Sequence, residues 1–125
     1  MSNDTQVRIE DLQQLADRFC QERDWDQFHG LKDLAIGLST ESNELLQLFR
    51  FKSEDEARSM LSQAERREAM EDELADVLFF LLRFSSRAKV DLSQAFRRKL
   101  DKNALKYPVE IARGSNLKYS ERDQK

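Results

Sequence analysis

Apolar residues return every three or four positions along most of this chain, the period of a helix that buries one face. Ile9, Leu12, Leu15, Ala16 and Phe19 set the first stripe and predict a helix from about Arg8 to Arg23. The stretch "DWDQFHG" interrupts it, and Gly30 marks a loop. Leu34, Leu38, Leu45 and Phe49 set a second stripe, giving a helix from about Leu31 to Phe51. Ser53, with Glu56 three residues on, forms a capping-box pattern that starts a brief helical turn. Ser62 and Glu65 repeat the pattern and open a long third helix, roughly Gln63 to Lys89. Asp91 with Gln94 caps a fourth, which ends before Pro108. Residues 1–7 read as disordered, and residues 109–125 as a polar, basic arm without a period. The expectation is an all-α fold: a four-helix bundle unit in one domain, residues 1–125, with its core at about 8–108.

The third helix changes character along its length. Its first half is polar almost all round, whereas Val77 to Leu82 is apolar all round. A helix apolar on every side is buried on every side. Four short helices cannot surround one of their own members that fully, so a second copy of the chain is expected on the outer face, making a homo-oligomer. The other arrangement is a helix placed centrally in a monomer.

Composition narrows the class. Three glycines and one proline in 125 residues leave little room for the tight turns of a β fold. The N-terminus is polar, so no signal peptide is expected. The run Val77 to Leu82 is far too short to span a bilayer, so no membrane partner is expected. The lone cysteine, Cys20, shares a helical face with Ala16 and Phe19, which marks it as core; it fits a reducing, cytoplasmic compartment. The net charge of −3 is uneven, −8 over residues 1–96 and +5 over residues 97–125. An acidic body can hold cations and a basic end phosphates, or the two surfaces can neutralise each other. The acidic total argues against a nucleic-acid-binding domain, for which a clear basic excess is expected.

Two pairs of carboxylates do not fit an ordinary core. Glu41 lies within the stripe of Leu38, Leu45 and Phe49, and Glu44 borders it on the side of Gly37. On the third helix, Glu73 and Asp76 share a flank with Phe80. Residues three apart on a helix point the same way. Gly37 costs about 1 kcal/mol of helix stability against Ala, so its expected use is close approach of another helix beside the acidic patch. Two antiparallel helices can bring the pairs face to face. Converging carboxylates then take up protons or bind a multivalent cation; otherwise they are exposed acidic patches. All-oxygen ligands select a hard ion, magnesium or manganese. A di-iron centre would need Glu-x-x-His pairs, and the only histidine, His29, is in none. Glu65, Glu68 and Glu71 repeat the E-x-x-E spacing as solvated helix surface. On the fourth helix Lys99, Asn103 and Lys106 share a face suited to phosphate oxygens and a sugar, or simply to solvent.

E-x-x-E, a spacer, then E-x-x-D resembles the all-α nucleoside triphosphate pyrophosphohydrolases of the MazG-like superfamily, nearest their dCTP pyrophosphatase branch. "ERDWDQFH", "ELADVLFFL", "KLDKNALKYP" and "RGSNLKY" resemble stretches of that branch in the same order, over residues 9–120. The resemblance implies four-helix units assembled as dimers or tetramers, and cleavage of a nucleoside triphosphate between its α and β phosphorus atoms. Glu41, Glu44, Glu73 and Asp76 would hold magnesium, or manganese in its place, and Glu41 and Glu44 are the expected acids for orienting the attacking water. Spacing alone reads Trp25 as a loop anchor; the resemblance places Trp25, Phe28 and His29 at the nucleotide. Phe51 and Phe80 would face the base where close relatives carry a tryptophan and a tyrosine, and Ala16 stands where some carry a histidine. With fewer polar groups, the site is expected to select bases less sharply, with dCTP among several deoxynucleotide substrates. The competing expectations are a helical interaction module and a nucleotide or metal sensor without turnover.

Overall fold

The computed structural model describes residues 3–124, with side chains described to residue 122. Every regular element among them is helical. The chain divides into two compact units, Met1–Lys89 and Val90–Lys125. The expected all-α class is therefore observed, but the four long helices are shared between two units. Residues 1 and 2 lie outside the described residues. Residues 3–7, expected to be disordered, form a turn in which the Asn3 carbonyl accepts from the amides of Gln6 and Val7.

In the first unit, α1 (Ile9–Glu22) buries Ala16 and Cys20. Cys20 has no exposed surface, and burial pushes its thiol pKa up. Its carbonyl accepts from the Trp25 amide at 2.9 Å, turning the chain with Asp24 in the left-handed region, φ 54°. A 3-10 turn, Asp26–Phe28, leads to Gly30 and α2 (Leu31–Phe49). That helix stops two residues before the expected Phe51. Arg50 is extended and Phe51 is left-handed, φ 65°, so neither continues the helix. The Ser53–Glu56 capping box forms as expected, with each side chain accepting from the other's backbone amide, and starts α3 (Glu54–Ser59).

The second expected box does not form. A 3-10 turn, Met60–Ser62, intervenes, and the Ser62 hydroxyl donates to the Ser59 carbonyl at 2.9 Å. Gln63 then stands at the cap position of α4 (Ala64–Ala88). This helix packs against both α1 and α2. Gly37 explains the close fit with α2: a Cβ there would sit 2.6 Å from Cδ1 of Phe80. The segment 77–82 is left open on one face. Leu82 is buried, whereas Leu78 is 41% exposed and forms an open face with Leu74 and Leu81, at i, i+4 and i+7.

In the second unit, Asp91 accepts from the Gln94 amide at 2.9 Å and caps α5 (Leu92–Lys106) as expected. The arm after Pro108 is more ordered than its sequence suggests. It contains α6 (Val109–Ala112) and a 3-10 turn, Tyr119–Gln124. Tyr107 and Tyr119 meet edge to face at 6.0 Å, with Arg122 over one ring and Lys106 over the other. Contacts between aromatic and charged residues, rather than a helical stripe, organise it, and periodicity cannot show them. Among the described residues no helix is long and apolar enough to cross a membrane.

Candidate functional site

The middle of α2 and the middle of α4 turn their acids toward each other. Glu41, Glu73 and Asp76 each offer a carboxylate oxygen, and the three atoms lie within 4.8 Å of one another. Glu41 and Glu73 are half-buried, and Glu44 and Asp76 are exposed at the rim. One oxygen of Glu41 and one of Glu73 are buried without any hydrogen-bond partner. Glu44 lies outside the three-membered set, yet it acts on both half-buried acids. Burial pushes the Glu41 carboxyl up to about 7, helped by Glu44, Asp76 and Glu73. Burial also raises the Glu73 carboxyl, again with Glu44 beside it. Orphaned carboxylate oxygens that resist ionisation are what a cation site looks like when only its ligands are considered. The donor set is all oxygen, which suits a hard divalent ion. Glu65 and Glu68 are exposed, as expected of helix surface.

Beside the acids runs a closed circuit of rings. Phe19 meets Trp25 at 5.6 Å, Trp25 meets His29 at 6.4 Å, and His29 meets Phe80 at 6.5 Å. Phe80 meets Phe79 at 5.4 Å, and Phe79 returns to Phe19 at 6.1 Å. Phe80 follows Asp76 by one helical turn, so the acids and the rings adjoin on α4. Trp25, His29 and Phe80 are thus brought together, and Trp25 is also the anchor that spacing suggests, edge-on against Phe19. Phe19 and Phe79 complete the circuit with no motif to mark them as site residues. Their only signals are a place on the α1 stripe and a neighbour in the Phe79–Phe80 pair. Phe28 is 62% exposed and outside the circuit. Phe51 is 91% exposed beyond the end of α2, with the Arg50 guanidinium 4.6 Å from its ring. Ala16 is buried in α1 and lines an open apolar groove of about 440 Å³ with Leu12, Phe19 and Leu78.

The sequence gives little hint of Arg83. This arginine is 2% exposed and binds three acceptors. It donates to Asp17 at 2.7 Å, to Asp26 at 2.6 Å and to Nδ1 of His29 at 3.3 Å. Asp17 accepts in addition from the Ser86 hydroxyl at 2.6 Å. Burial works against the guanidinium charge, but Asp17 and Asp26 outweigh it and raise the Arg83 pKa. The cluster fastens the turn that carries Trp25 and His29 onto α1 and α4. Lys99, Asn103 and Lys106 belong to the second unit. They share a face of α5, with both lysines exposed and Asn103 half-buried.

An all-helical chain with facing E-x-x-E and E-x-x-D pairs defines a class, and comparison with known proteins gives the family. The MazG-like family model matches residues 36–121, and the chain belongs to that family. It is 41% identical over 113 residues to dCTP pyrophosphatase 1 of Rattus norvegicus, covering 90% of this chain and 66% of that protein. It is 39% identical, with the same coverage, to dCTP pyrophosphatase 1 of Homo sapiens. The match thus spans about two thirds of the length of these curated relatives. A crystal structure of a pyrophosphatase from Archaeoglobus fulgidus superposes with a TM-score of 0.75 at 34% identity, covering 86% of this chain and 99% of that one.

Proposed function

We propose that this protein is a magnesium-dependent nucleoside triphosphate pyrophosphohydrolase that converts dCTP, and several other deoxynucleoside triphosphates, to the monophosphate and pyrophosphate. The observation that carries this is the convergence of Glu41, Glu73 and Asp76, two with orphaned buried oxygens, beside an aromatic circuit. Membership of the MazG-like family and likeness to proteins named dCTP pyrophosphatase 1 support it. These three acids, with Glu44, would hold magnesium or manganese, which when bound supplies positive charge for the phosphate oxygens. Glu41 or Glu44 would orient the attacking water and accept its proton. Trp25, His29 and Phe80 hold the base, with Phe28 and Phe51 as exposed flanking rings. Stacking needs only a flat π-surface, so it tolerates different bases. The face of Lys99, Asn103 and Lys106 offers two cations and an amide suited to phosphate and sugar.

The open face of Leu74, Leu78 and Leu81 would be covered by a second copy, making a dimer or tetramer. A reducing cytoplasm suits the buried thiol of Cys20.

A substitution panel tests the site. Glu41→Gln, Glu44→Gln, Glu73→Gln and Asp76→Asn are each expected to lower kcat/KM for dCTP by at least about a hundredfold, with helicity retained. Glu65→Gln and Glu68→Gln are expected to leave it unchanged. Equal losses in both sets would remove the assignment.

A further inference from the structure

A guanidinium N–H that points at a histidine nitrogen decides where that histidine can carry its own proton. The Arg83 Nε–H donates to Nδ1 of His29, so Nδ1 must present a lone pair. The guanidinium cannot turn away, because its two other nitrogens are held by Asp17 and Asp26. Flipping the imidazole would place Cδ2–H against the same donor, which removes the bond and opposes two hydrogens. Among the described residues no protein group accepts from the other ring nitrogen, Nε2, and that atom is not enclosed.

We infer that Arg83 is a positioning residue that fixes His29 as the neutral tautomer with its proton on Nε2, a hydrogen-bond donor for an acceptor oxygen or nitrogen of the bound nucleotide. The inference rests on the nucleotide reading above for the ligand, but the tautomer follows from the Arg83 geometry alone. It assigns His29 a recognition role in place of proton transfer. A second proton on the ring would face a fixed cation and cost the Arg83 hydrogen bond. The charged groups around the ring agree in balance. Burial lowers the His29 pKa first, Arg83 and Arg87 lower it further, and Asp26 and Asp33 oppose them. Arg83 differs here from an ordinary buried ion pair, since its third bond goes to a neutral group on the turn beside the rings. A salt bridge for stability alone needs only Asp17 and Asp26.

The chain contains one histidine, so labelling histidine with nitrogen-15 gives a single pair of ring nitrogens. Two-bond proton–nitrogen correlation spectra of the wild-type protein at pH 7 are expected to show Nδ1 as the unprotonated nitrogen and Nε2 as the protonated one. The imidazolium is expected to form only below the ordinary histidine value of 6.5. The reverse tautomer, averaged nitrogens, or an imidazolium forming with a midpoint at or above 6.5 would overturn the inference.

A binding arm adds the ligand. Titration with magnesium and the α,β-methylene analogue of dCTP is expected to show His29→Gln, which keeps a neutral donor near Nε2, within about threefold of wild type. His29→Phe is expected about tenfold weaker, the worth of about one hydrogen bond. Equal affinities for the two variants would overturn the donor role. Arg83→Lys keeps a charge between the aspartates, but its single nitrogen lacks the planar fork that reaches Asp17, Asp26 and His29 from three separate atoms, and it is expected to yield averaged ring nitrogens. A fixed Nε2–H tautomer in that variant would show that Arg83 does not set it. If the wild type binds the analogue without hydrolysing dCTP, the pyrophosphohydrolase reading fails while these results stand.

Discussion

Glu41 sits where a leucine would be expected and keeps one carboxylate oxygen buried without a hydrogen-bond partner. Its cost appears as a proton held up to about 7 against an ordinary 4.5. A proton bound more tightly in the folded chain than in the unfolded one adds stability that is complete below about 4.5. That stability is lost as pH rises through about 7. Without added metal, Tm is therefore expected to fall between pH 5 and pH 8, and Glu41→Gln is expected to flatten the fall. Magnesium at pH 8 is expected to restore Tm in the wild type and to have little effect in the variant. Thermal scans at several pH values, with and without the ion, check both; a flat wild-type profile would contradict the picture. The acids were legible because a carboxylate inside an apolar stripe breaks a pattern. Arg83 was not, because its partners lie 54 to 66 residues away and one arginine in a helix normally reads as solvent-facing.

Between elements, the contact of α2 with α4 sets the distance across the acidic site. Gly37 allows it, since a methyl group there would collide with the Phe80 ring. Alanine normally favours a helix over glycine by about 1 kcal/mol. Here Gly37→Ala is expected to destabilise by about 1–3 kcal/mol instead, as overpacking of a close contact does. Adding Phe80→Leu is expected to recover part of the loss, which denaturant unfolding of the single and double variants measures. A stabilised Gly37→Ala would mean the helices part easily. Helix positions were largely legible from stripes and caps. Ser53 and Asp91 cap as their spacing indicates, because each is free at the start of its helix. Ser62 has the same spacing from Glu65, but the preceding 3-10 turn draws its hydroxyl to Ser59. A local pattern cannot reveal that competition.

At the scale of the whole molecule, the exposed stripe of Leu74, Leu78 and Leu81 sits on a helix already packed against two others. The all-round apolar run at 77–82 is the ground for proposing a second copy on this face. Light scattering at micromolar concentration is expected to report a dimer or tetramer, and a single species of 14.7 kDa would contradict the second copy. Leu78→Glu is expected to shift the distribution toward the monomer, because it places a charge where the partner would pack. Sequence periodicity marked this run as apolar all round but could not divide the chain into two units, since both carry helices of the same kind.

Which phosphoanhydride bond breaks is decided directly by phosphorus-31 spectra of the reaction mixture. With dCTP and magnesium, equal amounts of dCMP and pyrophosphate are expected, with no early inorganic phosphate. Release of inorganic phosphate with dCDP would place the cleavage at the other anhydride. An unchanged triphosphate spectrum would make the chain a sensor or an interaction module, and either result would overturn the pyrophosphohydrolase assignment.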